Sequence, residues 1–234
     1  MKESRNKSGA ALIFGVGPGL GLAIARCCID AGMPVAIAAR SHERTAQWAR
    51  DLVTSGAVVR GHACDVTVEQ EIENVFARSR AELGPAALVV YNAGTYQPGK
   101  VTEIRAGDFE RCWRVGCFGG FLVGRAAARE MLEQGSGTIV FTGATASLRG
   151  GAGFANLAVG KFGLRALSQS MARELGPRGV HVAHVIVDGQ IAAGDEGDAK
   201  LDPDAIAANY LSLHRQPRSA WTQELDLRPW VEKF

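Results

Sequence analysis

Tyrosine is scarce in this chain. It occurs three times in 234 residues, and none lies between Tyr96 and Tyr210. Cysteine occurs five times, at Cys27, Cys28, Cys64, Cys112 and Cys117. That is an odd number without a Cys-x-x-Cys pair, which excludes a disulfide framework and fits free thiols in a reducing compartment. Charge of one sign is not in excess: the formal net charge is +2, so no basic footprint points to nucleic acid. No run is long and apolar enough to span a bilayer. The opening "MKESRNKSG" is a polar tail over residues 1–9 without the apolar stretch of a signal peptide. Together these absences lead to the expectation of a cytoplasmic protein with neither a nucleic-acid nor a membrane partner.

What is present is alternation. Short apolar runs, "AALIF" (10–14), "PVAIAA" (34–39), "AVVRGHA" (57–63), "AALVVYNAG" (86–94), "GTIVFTG" (137–143) and "VHVAHVIVDG" (180–189), are separated by longer amphipathic stretches. Near-continuous apolar strands alternating with helices indicate a parallel sheet covered on both faces. One long helix is expected over 107–133 and another over 153–175. No repeat or linker interrupts the pattern, so residues 10–234 read as one α/β, doubly wound domain. Residues 188–204 are rich in Gly, Ala and acids. They read either as a solvated loop or, with the helix that Asp202 and Pro203 would start, as a mobile lid at 189–215.

The first turn carries the strongest local signal. "GVGPGLG" sets Gly15, Gly19, Leu20 and Gly21 between a strand and a helix. Glycines there permit a tight turn and close approach of backbone to a pyrophosphate, above unpaired helix N–H groups. Nucleotide choice is read at the end of the second strand. An acid would hold a ribose 2′-OH, whereas an arginine accommodates a 2′-phosphate. Here the residues are Arg40 and Ser41, with Arg44 a turn later, which favours NADP(H) over NAD(H) against the plainer reading of a surface arginine.

"GFANLAVGKFGLRAL" (153–167) holds Lys161, the only formal charge between Gly150 and Leu164. A charge in apolar surroundings is costly unless paired. The stretch alone is read as a snorkelling side chain on a buried helix. His181 and His184 lie three apart on a strand and face opposite sides, so no metal site is expected. Gly119, Gly120 and Gly124 are spaced for close helix packing at a subunit contact. Cys117 adjoins Gly116 and is a weak candidate nucleophile.

Taken in order, these stretches resemble the short-chain dehydrogenase/reductase family from Ala10 to about Arg228. "GVGPGLG" resembles its cofactor turn, "CDVT" (64–67) supplies Asp65 and Val66 for the adenine, and "YNAG" supplies Asn92, Ala93 and Gly94. The resemblance implies that residues 10–234 form a Rossmann-type dinucleotide-binding domain with a sheet of about seven strands, a nicotinamide cofactor and a small-molecule substrate. It also implies a homodimer or homotetramer built on two long helices. Gly189 and Ile191 would lie beside the nicotinamide carboxamide.

In typical members a tyrosine is the general acid/base, and a lysine four residues later lowers its pKa and binds the nicotinamide ribose. A serine orients the substrate oxygen and an asparagine holds a relay water. Lys161 matches the lysine, but Leu157 stands four residues before it, Ala144 at the serine and Gly116 at the asparagine. Thr142, Thr145 and Ser147 lie close enough to stand in for the serine. Asp188, beside Gly189, is either a turn residue or a replacement proton donor. Three functions remain open. One is an NADP(H)-dependent oxidoreductase with a degenerate active site, acting on a carbonyl, imine or alkene. Another is a non-catalytic dinucleotide-binding or scaffold subunit that pairs with an active relative. The last is a non-redox activity on the same fold.

Overall fold

A computed structural model describes residues 9–53, 56–194 and 197–232. Most of the polar tail at 1–9 therefore lies outside the described residues, as do residues 195 and 196 of the expected lid. The strands are β1 (Ala10–Phe14), β2 (Val35–Ala39), β3 (Val59–Ala63), β4 (Ala86–Tyr91), β5 (Gly137–Thr142), β6 (Val180–Val187) and β7 (Glu224–Leu227). The helices are α1 (Leu20–Asp30), α2 (His42–Leu52), α3 (Glu69–Leu83), α4 (Ala106–Trp113), α5 (Gly119–Gln134), α6 (Ala155–Leu175) and α7 (Pro203–Arg215).

All seven strands pair in parallel, in the order β3-β2-β1-β4-β5-β6-β7. Every residue of β1, β4, β5 and β6 is buried, which is why their sequences are apolar throughout instead of alternating. Successive side chains still divide between the two faces. Phe14, Tyr91 and Phe141 meet α3, α5 and α6, while Ile13, Val90 and Val140 meet α1, α2 and α7. This is the doubly wound sheet that the alternating pattern predicts. Strand order reverses between β1 and β4, and the crevice at that switch point is where such sheets take ligands.

Several local expectations change. The helix expected over 107–133 is α4 and α5 joined by a π-helical turn at Arg114–Phe118. The Tyr91 hydroxyl donates to the Val115 carbonyl, and a side chain bonding into the helical ladder is a recognised cause of such irregularity. Gly119, Gly120 and Gly124 are buried against the core. A Cβ on them would lie 2.5 Å from the Tyr91 hydroxyl, 2.3 Å from Leu164 and 2.9 Å from Phe141 respectively. These glycines make room for large core side chains.

The second half of the 189–215 segment is a packed helix. Asp202 caps α7, its Oδ1 accepting from the N–H groups of Asp204 (2.8 Å) and Ala205 (3.0 Å). Ile206, Ala207, Tyr210 and Leu213 then bury one face in the core beside α1. Among the described residues, no helix is long and apolar enough to cross a membrane.

Candidate active site

A cleft of about 560 Å³ opens over the C-terminal ends of β1, β2 and β4. Gly15 lines it from the β1 turn, Arg40 and Ser41 from the β2 turn, Asp65 and Val66 from the segment after β3, and Asn92, Ala93 and Gly94 from the end of β4. Eight residues singled out in the sequence thus meet around one space. Arg44 joins them, as anticipated, but Arg111 and Arg114 on the opposite wall were not anticipated. Their only sequence signal is a spacing of three; Arg111 lies in α4 and Arg114 opens the π-helical turn that follows it.

The turns are built for close approach. Gly15 adopts φ +83°, and a Cβ there would lie 2.3 Å from the Ala93 nitrogen. Asn92 Nδ2 donates to the Gly15 carbonyl at 3.0 Å, tying the β1 and β4 turns together. A Cβ on Gly21 would lie 2.8 Å from Val16 Cα, whereas one on Gly17 or Gly19 would meet nothing. Leu20, the first residue of α1, is buried, and the helix has neither a side-chain cap nor an acid in its first turn. Its free N–H groups suit a phosphate. Asp65 Oδ1 accepts from the Thr67 N–H and hydroxyl, both at 2.8 Å. Ser41 caps α2, its Oγ accepting from the Arg44 N–H at 3.3 Å. This open, uncapped turn beside arginine side chains fits the pyrophosphate and adenosine of a dinucleotide.

Lys161 lies beyond the cleft, under the ends of β4 and β5. It is 6% exposed, and its Nζ donates to the Thr142 carbonyl at 2.7 Å. A Cβ added to Gly94 would sit 3.7 Å from that nitrogen, so the amine is next to the Asn-Ala-Gly turn. Burial lowers its pKa to about 8. Lys161 is therefore not a snorkeller: its nitrogen is buried as well as its stem.

Leu157, four residues earlier on α6, is half-buried, as is Ala144 on the β5 turn. Gly116 sits within the π-helical turn, where a Cβ would lie 3.2 Å from Gly160 Cα. Gly189 adopts φ +148° against Pro229, and Ile191 is exposed in a bridge to Leu201.

Asp188 does not offer a free acid. It is 1% exposed. One carboxylate oxygen accepts from the Thr145 hydroxyl and the other from Arg228 Nη2 at 2.6 Å. The replacement donor suggested by its position is thus held in a buried ion pair. Cys117 packs on Gly163, and burial pushes its thiol up, away from reactive thiolate character. His181 Nε2 donates to the Thr222 carbonyl at 2.9 Å, and the ring stacks on Trp221. His184 Nε2 meets Ser147 Oγ at 3.1 Å. Among the described residues, no group of three His, Cys, Asp or Glu side chains could hold a metal ion.

The short chain dehydrogenase family profile matches residues 9–193. The chain is similar to 2-(S)-hydroxypropyl-CoM dehydrogenase 3 of Xanthobacter autotrophicus, with 32% identity over 202 residues, covering 86% of this chain and 79% of that one. The fold is similar to a short-chain dehydrogenase structure from Rhodopseudomonas palustris, at TM-score 0.85 and 37% identity over 94% of this chain and 98% of that one. It is also similar to a metagenomic short-chain oxidoreductase in complex with NADP, at TM-score 0.84 and 26% identity over 96% and 99% of the two chains. With the switch-point cleft and its glycine turn, these likenesses make the chain a member of the short-chain dehydrogenase/reductase family of oxidoreductases.

Proposed function

We propose that this oxidoreductase binds NADP(H) in preference to NAD(H) and transfers hydride without a tyrosine proton donor. The carrying observation is Leu157, one turn of α6 before the buried Lys161. Residues four apart share a helix face, so the position from which a side chain would protonate a substrate oxygen beside Lys161 holds a hydrocarbon. Ala144 and Gly116 extend the same pattern at the serine and asparagine positions. Leucine cannot transfer a proton, and general acid/base catalysis typically contributes ~10²–10⁴-fold. Reduction of ordinary carbonyls is then slow. Hydride addition to an already cationic imine needs no acid at the receiving carbon, and it is the acceptor class that best suits such a site.

The cofactor choice is supported by Arg40, Ser41 and Arg44 on the cleft wall and by NADP in a related structure. Asp65, Val66 and Asn92–Gly94 would flank the adenosine and the bridge to the nicotinamide, and Lys161 would bond its ribose. Gly189 and Ile191 would bound the carboxamide. Bound NADPH supplies the hydride. The protein's part is to hold the dinucleotide on the bare N-terminus of α1 and on the Lys161 amine. Fluorescence titration tests the preference. NADPH should bind more tightly than NADH, and Arg40→Ala should weaken NADPH roughly tenfold while sparing NADH. Tighter binding of NADH would overturn the assignment.

A homodimer or homotetramer is proposed on the same footing. Phe109, Trp113 and Phe121 from α4 and α5, with Val159 and Phe162 from α6, are exposed. An apolar surface of that kind marks an association face. Sedimentation of the purified chain as a monomer would overturn it.

A further inference from the structure

Three hydroxyls lie within three residues of Ala144. Two are turned inward. Thr142 Oγ1 pairs with the Tyr210 hydroxyl at 2.8 Å. Ser147 Oγ accepts from the Ala144 N–H at 3.1 Å and meets His184 Nε2. Both residues are buried, whereas Thr145 is half-exposed. Thr145 stands between the C-terminal ends of the neighbouring strands β5 and β6. The Lys161 amine is held on the Thr142 carbonyl, on the same turn.

The proton of Thr145 has a fixed destination. Its hydroxyl donates to Asp188 Oδ1, while Asp188 Oδ2 takes Arg228 Nη2 at 2.6 Å. A carboxylate facing a guanidinium has acceptors only, and a hydroxyl has one proton and two lone pairs. With the proton directed to Asp188, Thr145 presents lone pairs to anything that approaches from outside. The ion pair keeps that polarity in place, because Asp188 is buried and loses its countercharge if Arg228 is removed.

We infer that Thr145 is a substrate-positioning residue that accepts a hydrogen bond, selecting ligands that carry an N–H or O–H at the reacting end over ligands that carry only a carbonyl oxygen. Protonated imines, amines and alcohols belong to the favoured class. The inference deepens the proposed function and rests on its placement of the reacting site above Lys161 and Ala144. It assigns Asp188 a supporting role: Asp188 fixes which way the Thr145 hydroxyl points.

The test uses pyrrolidin-2-one and γ-butyrolactone. They share a ring size and a carbonyl and differ in one N–H, and neither exchanges hydride under the conditions of the experiment. Affinities are read by NMR titration of the purified protein, with and without saturating NADP⁺. The lactam should bind roughly fivefold more tightly than the lactone, the worth of one neutral hydrogen bond. Thr145→Val should bring the ratio to about one, and Thr145→Ser should restore it. Asp188→Asn reads the preference without touching Thr145. The carboxamide oxygen must face Arg228, so the amide donates to Thr145 and frees its proton, and the ratio shifts toward the lactone. An unchanged ratio in Thr145→Val, or binding of neither probe to the unmodified protein, overturns the inference. Failure of NADP⁺ to bind overturns the proposed function instead, while the probe ratio in the cofactor-free sample still reads Thr145.

Discussion

The Lys161 ammonium is bonded to a backbone carbonyl, that of Thr142, at 2.7 Å, and among the described residues no carboxylate pairs with it. Burial without a countercharge opposes protonation more than that hydrogen bond favours it. Burial lowers its pKa from the ordinary 10.5 to about 8, so the folded state holds fewer protons than the unfolded one between those values. Where the unfolded state binds more protons, stability rises with pH. The cofactor-free protein should therefore carry the full penalty below about pH 8 and shed it as pH climbs toward 10.5. The difference is worth ~3 kcal/mol at most. Lys161→Met should raise the melting temperature at pH 7 and remove this alkaline rise, in thermal melts compared at matched pH.

His184 works in the acid range. Burial first, and the Lys161 charge second, lower its pKa from 6.5 to about 4. The unfolded chain takes up the proton first as pH falls. Stability linked to His184 is thus complete above about pH 6.5 and declines from there toward pH 4, by roughly 3 kcal/mol. His184→Gln keeps a polar partner for Ser147 and should flatten this limb in denaturant melts across the same pH range.

Placing a tyrosine and an asparagine at the two positions proposed to lack them should have unequal effects. Leu157→Tyr places a phenol one turn from Lys161 on the half-buried face of α6. It should raise NADPH-dependent carbonyl reduction by ~10²-fold or more, read as initial rates. Gly116→Asn should instead destabilise the fold by ~1–3 kcal/mol, because its Cβ would lie 3.2 Å from Gly160 Cα. Denaturant midpoints separate this loss from any gain in rate.

The strands were legible because burial on both faces leaves a continuous apolar run. The α7 start was legible because Asp202 and Pro203 act on neighbouring backbone. The glycine turn after β1 was legible for the same local reason: Gly15 and Gly21 answer to contacts within one strand–turn–helix unit and its neighbour. What could not be read depends on partners distant in sequence. The π-helical turn answers to Tyr91, whose hydroxyl reaches Val115 across the core. The inward glycines answer to the same ring and to Leu164 and Phe141. Asp188 looked like a candidate acid because nothing local announces Arg228, forty residues on. Thr145 looked like one of three equivalent hydroxyls because orientation, not composition, sets it apart from Thr142 and Ser147.

Single-turnover oxidation of NADPH by excess enzyme tests the proposed hydride transfer without a tyrosine most directly. A preformed cyclic iminium ion and the ketone of the same ring size are offered in parallel. The absence of an acid at Leu157 predicts hydride loss to the iminium ion at a rate well above that to the ketone, with Leu157→Tyr closing the gap from the ketone side. Equal rates with both acceptors in the unmodified protein, or no oxidation with either, would contradict it.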